Sequence, residues 1–401
     1  MKKILLLGGS SQQTIAIKKA KELGYYTILC DFLPDNPGQY EADKFYLVST
    51  TDKEAVLKVA REEQINGVVA YSSDPAAPTA AYVAKELNLP GVPYETANSF
   101  CNKNLFRAFL KDNGFNVPAS VEFLKTSDIS VVSGLCYPII VKPTDSSGSK
   151  GVSVIYSNEE FEAARDFAEK YSRNHVLIAE EYIEQSHKDV IECEIFVLDK
   201  KVAVWGIMSS VRDKLTNPLI PAAYRYPASI SDEYYNIVKS EVSRLVEVSG
   251  VKNGAFNIEM VINKEGKLYF LDAGPRNGGN MLPEYISLIS KSDIPRSTIL
   301  TAMGDSDKIS NCKLNGKDGG YWGLYVIHSN QSGILKAVNY SEEAKECLLR
   351  EHYFKQLGSM VQPFSNSRDA IGLAFFKFPN EKLQDEILRD FTGKHVKLEI
   401  L

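Results

Sequence analysis

The sequence predicts a mixed α/β and α+β chain, with a parallel, doubly wound sheet first, a small α+β lobe next, and a larger lobe that ends in β-rich segments. Three observations carry this expectation. Residues 3–93 alternate short apolar strands with helical stretches, the pattern of a parallel sheet with helical crossovers. Residues 137–152 run a β-branched strand through Lys142 and Pro143 into a loop of small residues. Residues 256–272 read as a hairpin that carries carboxylates toward its open end.

At 401 residues, 44% hydrophobic and 24% charged, the chain has material for roughly two or three domains with substantial cores. A formal net charge of -5 offers no basic field for a phosphate backbone, so nucleic acid is not expected as a partner. The six cysteines, Cys30, Cys101, Cys136, Cys193, Cys312 and Cys347, show no C-x-x-C spacing, which argues for reduced thiols in the cytoplasm and against zinc. The apolar run after Met1 ends at Gly8, too early for a signal sequence, and no segment approaches a membrane span.

Taken in order, residues 3–7 form a strand into the turn Gly8-Gly9, 14–23 a helix and 26–31 a second strand, which together are a β-α-β unit. A helix at 53–63, a strand at 67–71, a helix at 76–87 and an extended 91–93 continue it into a Rossmann-like domain over residues 1–100. The turn from Gly8 to Gln13 departs from G-x-G-x-x-G, so a nicotinamide cofactor fits poorly here. Asp31 would either bond a ribose or cap a turn. A helix over 98–113, capped by Asn98 or Ser99, places Lys103 near its start. Strands at 120–123, 139–142, 152–155 and 175–183 with a helix at 158–171 make the small lobe, about residues 115–185.

Within that lobe, Ser146, Ser147, Gly148, Ser149 and Gly151 leave backbone N–H groups unshielded by bulky side chains, and such groups can converge on an anion. Lys142 and Lys150 add mobile positive charge suited to a triphosphate. An exposed hairpin tip has the same composition, and the loop is not a Walker A sequence. Beyond it, Glu192 and Glu194 alternate onto one face of a strand at 191–198, whose neighbour is at 202–208, with a long helix at 231–249. Residues 208–227 read as a Pro-rich loop in which Arg212, Lys214, Tyr224 and Arg225 either line an acceptor pocket or lie on the surface.

The hairpin has the polar loop Asn263-Lys264-Glu265-Gly266. A four-residue loop pairs Ile262 with Lys267, Glu259 with Phe270 and Asn257 with Asp272. Glu259 and Asp272 then become diagonal neighbours with Cα atoms about 7–8 Å apart. Two carboxylates so placed suit a hard cation such as Mg2+, although Asp272 as a turn cap and Glu259 beside a lysine would also fit. Arg276, in the glycine-rich stretch 274–280, is placed to grip a carboxylate or phosphate bidentately.

The order and spacing of these parts resemble the ATP-grasp superfamily, of the carbamoyl-phosphate synthetase, biotin carboxylase and purine-pathway ligase type, over nearly the whole chain. The resemblance implies an ATP-grasp domain at 101–305 and a C-terminal segment at 306–401 that completes the large lobe. It implies that Lys103 and Lys142 contact ATP phosphates, that the loop from Asp145 to Gly151 closes on them, and that Glu180, Glu181 and Ile183 lie on the strand that reads adenine. It further assigns Glu192 to the ribose, Glu259 and Asp272 to the metal, and Arg276, with Lys142, to the reacting phosphate. The usual Glu-x-Asn-Pro-Arg is here Asp272-Ala-Gly-Pro-Arg276, so Asn257, Asn277 or water would replace the asparagine that Gly274 lacks. The implied activity is an ATP-dependent carboxylate-amine ligase working through an acylphosphate, with Mg2+ or alternatively Mn2+. Its partners would be a small carboxylate and an amine, with a homodimer allowed. The alternatives are a phosphoribosylamine-glycine ligase-like purine enzyme, an ATP-grasp kinase, a non-catalytic nucleotide-binding module and a nicotinamide-dependent enzyme. His328, near the end of a strand expected at 322–328, reads as packed rather than catalytic.

Overall fold

The computed structural model describes residues 1–310 and 312–401. Its first region is a parallel sheet of β1 (Lys3–Leu7), β2 (Tyr26–Asp31), β3 (Lys44–Leu47) and β4 (Gly67–Val69) in the order β3-β2-β1-β4. β1 is a continuous apolar run because both its faces are covered. Ile4 and Leu6 pack with Ile17 and Ala20 of α1 (Thr14–Glu22), while Leu5 and Leu7 meet α2 (Lys53–Glu63) and α3 (Ala77–Glu86). The edge strand β3 escaped the sequence reading; its side chains are exposed or only half-buried, so no apolar run marks it.

The helix expected over 98–113 is two helices, α4 (Tyr94–Phe100) and α5 (Lys103–Asp112). Asn98 and Ser99 therefore lie inside α4 and are not its cap. The break comes at Asn102, whose backbone is extended, and the Lys103 N–H leaves the helical pattern to bond the Thr144 carbonyl at 2.8 Å. A tertiary bond, invisible to local propensity, sets where the second helix starts.

The small lobe is an antiparallel sheet of β5 (Ser120–Leu124), β6 (Ile139–Pro143), β7 (Ser153–Ile155) and β8 (Val176–Glu181), ordered β5-β8-β6-β7 and covered by α6 (Phe161–Glu169). Pro143 does not end the ladder as its ring would suggest; it still pairs with Leu177 at the last position of β6.

The large lobe then builds from β9 (Val190–Leu198), β10 (Lys201–Asp213), β11 (Asn217–Tyr226), α7 (Asp232–Ser249), β12 (Gly254–Ile262), β13 (Leu268–Gly274), α8 (Leu282–Ser290) and α9 (Ile294–Ala302). The C-terminal segment adds β14 (Tyr321–Ile327), β15 (Gly333–Tyr340), α10 (Glu342–Cys347), β16 (Leu348–Tyr353), β17 (Met360–Val361), β18 (Gly372–Phe378), α11 (Glu381–Leu388) and β19 (Val396–Ile400). Three of its strands enter the eight-stranded sheet β13-β12-β9-β10-β11-β14-β18-β16, and the other three form the small sheet β17-β15-β19.

Strand alternation decides which side of the large sheet does what. Ile191, Cys193, Ile195 and Val197 face α7 through Val238, Val242 and Leu245. Phe196, Met208, Leu324 and Phe375 face α8 through Leu282, Tyr285 and Ile286. Glu192 and Glu194 share the α8 face by the same alternation. The first domain docks on this side, since Ile299, Ala302 and Met303 at the end of α9 pack with Ile4, Leu6 and Ile17.

Residues 208–227, read from the sequence as a loop, are the end of β10 and the whole of β11 with the turn between them. Arg225 is not in an acceptor pocket: its guanidinium bonds Gln384 at 2.8 Å and meets Glu381 and Asp385 of α11. His328 is packed against Phe364, with ring centroids 4.6 Å apart, and bonds Asp213 at 3.1 Å. Among the described residues no helix is long and apolar enough to cross a membrane.

Candidate active site

The hairpin register differs from the expected one. Ile262 pairs with Leu268 and Met260 with Phe270, and a bulge then brings Glu259 opposite Asp272 and Asn257 opposite Gly274. The uniform register expected from the four-residue loop made the two acids diagonal neighbours. The bulge instead brings them face to face, and the extra residue, Leu271, turns its carbonyl to Arg107 Nη2 at 2.9 Å. On the other side of β12, Glu259 stands opposite Glu192. Glu192, Glu259 and Asp272 thus form one row across β9, β12 and β13.

That row is short of positive charge. Arg212 Nη2 donates to Glu259 Oε1 at 3.1 Å and Lys103 Nζ stands 3.7 Å from Asp272 Oδ2. Glu192 is buried; Asn257 Nδ2 donates to its Oε1 at 2.9 Å, and its Oε2 has no partner among the described residues. Burial, and then the neighbouring charge of Glu259, pushes the Glu192 carboxyl up to about 7. The register groups Glu192, expected at the ribose, with the two acids expected at the metal. No group of three or more His, Cys, Asp or Glu side chains converges to hold a metal among the described residues. The pair Glu259–Asp272 therefore fits a divalent cation only when other oxygens, such as those of phosphate or water, complete the shell.

Above the row lies the phosphate-loop candidate. Lys103 Nζ also donates to the Ser146 carbonyl at 2.6 Å, which ties the loop to the acids beneath. Gly148 and Gly151 have φ of +66° and +73°, and a Cβ at Gly151 would lie 3.0 Å from Pro143 Cγ, so both glycines serve the turn. Ser149 Oγ reaches across to the Leu219 carbonyl of β11 at 2.8 Å, so the small lobe touches the large one through this loop. Ser147 lies between them, half-buried. Asp145 anchors the loop by accepting from Arg173 N at 3.1 Å and Asn174 N at 2.9 Å.

Lys142 on β6 and Glu180 on β8 are diagonal neighbours whose charged groups meet at 2.5 Å, both buried. Burial would raise the Glu180 carboxyl, but the charges of Arg107 and Lys142 bring it down to about 2. Burial lowers the Lys142 ammonium, with Arg107 and Lys103 adding repulsion that Glu180 offsets only in part. Glu180 therefore holds Lys142 in place, and its side chain points into this ion cluster rather than outward. Glu181 accepts from Cys136 N at 2.8 Å through its side chain, and among the described residues the Ile183 N–H makes no hydrogen bond within the chain.

Arg276 is not a free clamp. Its Nε and Nη2 both meet Asp74 Oδ1, at 2.6 and 2.5 Å, and Nη1 donates to the Asn277 carbonyl. Asp74 sits in the loop after β4, brought in by the first domain. A Cβ at Gly274 would lie 2.6 Å from Asp74 Oδ1, so the side chain missing at 274 is replaced in space by an acid from elsewhere in the chain. Asn277 is buried with Glu194 and Thr298, and Asn257 bonds Glu192. Glu194 accepts from Gly278 N at 2.9 Å, and burial pushes its carboxyl up to about 8.

The sequence reading missed Asp74 and Arg107. Asp74 follows a parallel strand at its C-terminal end, where such sheets collect ligands, and that position was the available signal. Arg107 is four residues beyond Lys103 on one helix face. In the first domain Asp31 caps the glycine turn, accepting from Gly9 N at 2.7 Å and Leu33 N at 2.9 Å. A Cβ at Gly38 would lie 2.6 Å from Gly9 Cα, so another segment already packs against the turn.

Residues 135–284 match the family model described as an ATP-grasp domain. The carbamoyl phosphate synthase large chain of Thermotoga sp. (strain RQ2) is 26% identical over 267 residues, 64% of this chain and 23% of the relative. That of Campylobacter jejuni is 23% identical over 74% of this chain and 28% of the relative. The chain spans about a quarter of the length of these relatives. Among solved structures, an L-amino acid ligase from Bacillus licheniformis superposes with a TM-score of 0.80 at 21% identity, covering 100% of this chain and 99% of that one. A phosphoribosylglycinamide synthetase from Anaerococcus prevotii gives 0.76 at 21% identity, covering 100% of both. An N5-carboxyaminoimidazole ribonucleotide synthetase from Thermotoga maritima gives 0.73 at 18% identity, also covering 100% of both.

Proposed function

We propose, from the premise that the chain belongs to the ATP-grasp superfamily through its domain at residues 135–284, that it is an ATP-dependent carboxylate-amine ligase working through an acylphosphate. The observation that carries the reading is the direct opposition of Glu259 and Asp272 beneath a loop that Lys103 ties to Asp272.

In this reading Lys142, Lys103 and the backbone N–H groups of the loop from Ser146 to Gly151 hold the phosphates. The Ile183 N–H and the Glu181 backbone take the adenine edge. Glu259 and Asp272 would hold Mg2+, whose chemistry there would be Lewis-acid neutralisation of phosphoryl charge. A substrate carboxylate oxygen attacks the γ-phosphorus, the bond to the bridging oxygen breaks, and ADP leaves. The amine nitrogen then attacks the acyl carbon, phosphate departs with its oxygen, and the amine gives up a proton. Arg276 has two of its five N–H groups left for the oxyanion of that second step, once Asp74 and Asn277 have taken three. The loop keeps water from the acylphosphate.

The test is release of ADP and phosphate from Mg-ATP across a matrix of amino acids, small carboxylates and amines, with mass spectrometry on the hits. Release that requires one carboxylate and one amine, with a condensed product, supports the ligase. ADP with a phosphorylated substrate and no condensation replaces it with a kinase.

A further inference from the structure

Glu284 is a buried carboxylate without a cationic partner. It lies in the first turn of α8, 7% exposed, and its Oε1 has no hydrogen-bond partner among the described residues. Its Oε2 receives only a long bond from the Tyr71 hydroxyl, at 3.3 Å. Burial pushes this carboxyl up to about 7 against the pull of its own backbone amide and Tyr71.

Arg350 supplies the opposite case. It stands on β16 opposite Phe375, with its guanidinium carbon 4.1 Å from the centre of that ring, and makes no ion pair among the described residues. Phe375 in turn packs 6.4 Å from Tyr285, the neighbour of Glu284. The charge that acts on Arg350 is that of Glu284, yet the two groups do not touch. Glu284 and Arg350 are opposite in sign and form no ion pair with one another among the described residues, so each is left to meet a ligand group of the opposite sign.

The place adjoins the site already described. Tyr71 is followed by Ser72, whose Oγ donates to the Gly278 carbonyl at 2.7 Å, and two residues later by Asp74 on Arg276. His352, two residues along β16 from Arg350, meets Ser11 Oγ at 3.2 Å, so this strand closes against the glycine turn of the first domain. We infer that Glu284 and Arg350 are the two poles of a subsite for a zwitterionic α-amino acid, with its ammonium on Glu284 and its carboxylate on Arg350. A simple amine would leave Arg350 unmatched and a simple carboxylate would leave Glu284 unmatched, and each unmatched pole costs affinity. The use of that amino acid as a substrate rests on the ligase reading; its binding does not.

The experiment is ligand-detected NMR with Mg-ADP present, using the standard L-amino acids singly. For the tightest binder it adds the two analogues that lack either the amino or the carboxyl group. At least one amino acid is expected to bind, with both analogues weaker by ~10-fold or more. Glu284→Gln is expected to lose discrimination against the des-amino analogue, and Arg350→Ala against the decarboxylated one. Arg350 is exposed, so its variant keeps the test open where Glu284→Gln fails to fold. Absence of any binder at ~10 mM, or variants with wild-type affinity and discrimination, overturns the subsite. Amino-acid binding without stimulated ADP release leaves the subsite standing and removes the ligase; ADP release driven only by other compounds, with no amino acid bound, does the reverse.

Discussion

Asp74 Oδ1 lies 2.6 Å from Arg276 Nε, a bond that joins the first domain to the residues just past the β12–β13 hairpin. A Cβ on Gly274 would come within 2.6 Å of the same oxygen. A side chain at position 274 would therefore clash with Asp74, which takes that space. Gly274→Ala is expected to lower stability by about 1–3 kcal/mol, the usual cost of overpacking, and most of that loss should vanish in an Asp74→Ala background. Thermal denaturation of the double-mutant cycle measures this, and equal losses in both backgrounds would mean the two residues are uncoupled.

Asp272→Asn should abolish Mg-ATP turnover, by ~100-fold or more, with an unchanged fold. The substitution removes one of the two opposed carboxylates without opening a cavity. ADP release and the melting temperature check the two halves of this expectation. An active variant would sink the assignment of Glu259 and Asp272 to the metal.

Lys142→Ala should weaken ATP binding by ~10-fold or more, because a buried cation beside the loop is lost. Glu180 retains Arg107, whose Nε donates to it at 2.6 Å, so the variant is expected to fold. Calorimetric titration with ATP decides; unchanged affinity would leave Lys142 only as the counterion of Glu180.

Glu194 is expected to give the protein a pH dependence of one sign. Its folded-state value of about 8 stands above the ordinary 4.5, so the folded state binds the proton more tightly than the unfolded chain. Its contribution to stability is complete below about 4.5 and is lost as pH rises through about 8. Glu194→Gln keeps an oxygen for the Gly278 N–H and carries no titrating charge. The denaturation midpoint of this variant should fall less than that of the unaltered chain between pH ~5 and pH ~9. Parallel curves would show that Glu194 is already charged in the folded state.

The amino-acid sequence by itself determined the β-α-β start, the long helix after Ser231, the loop of serines and glycines after Pro143, and the identity of the hairpin acids. Each of these depends on local chemistry: apolar runs, a capping serine, residues that free the backbone, and carboxylates placed on one face of the hairpin. Tertiary structure alone decided the rest. The bulge that sets Glu259 against Asp272 arises from strand pairing, and Arg107, 164 residues earlier in the chain, binds the carbonyl it leaves. The break between α4 and α5 depends on a carbonyl of the small lobe. Arg225, read beside an acceptor pocket, is held instead by a helix more than 150 residues away. Asp74 reached Arg276 only because α9 docks the first domain on the acidic face of the large sheet. Local sequence encodes which conformations a segment prefers, whereas the partner of a buried charge is chosen by which distant segments the packed core brings within reach.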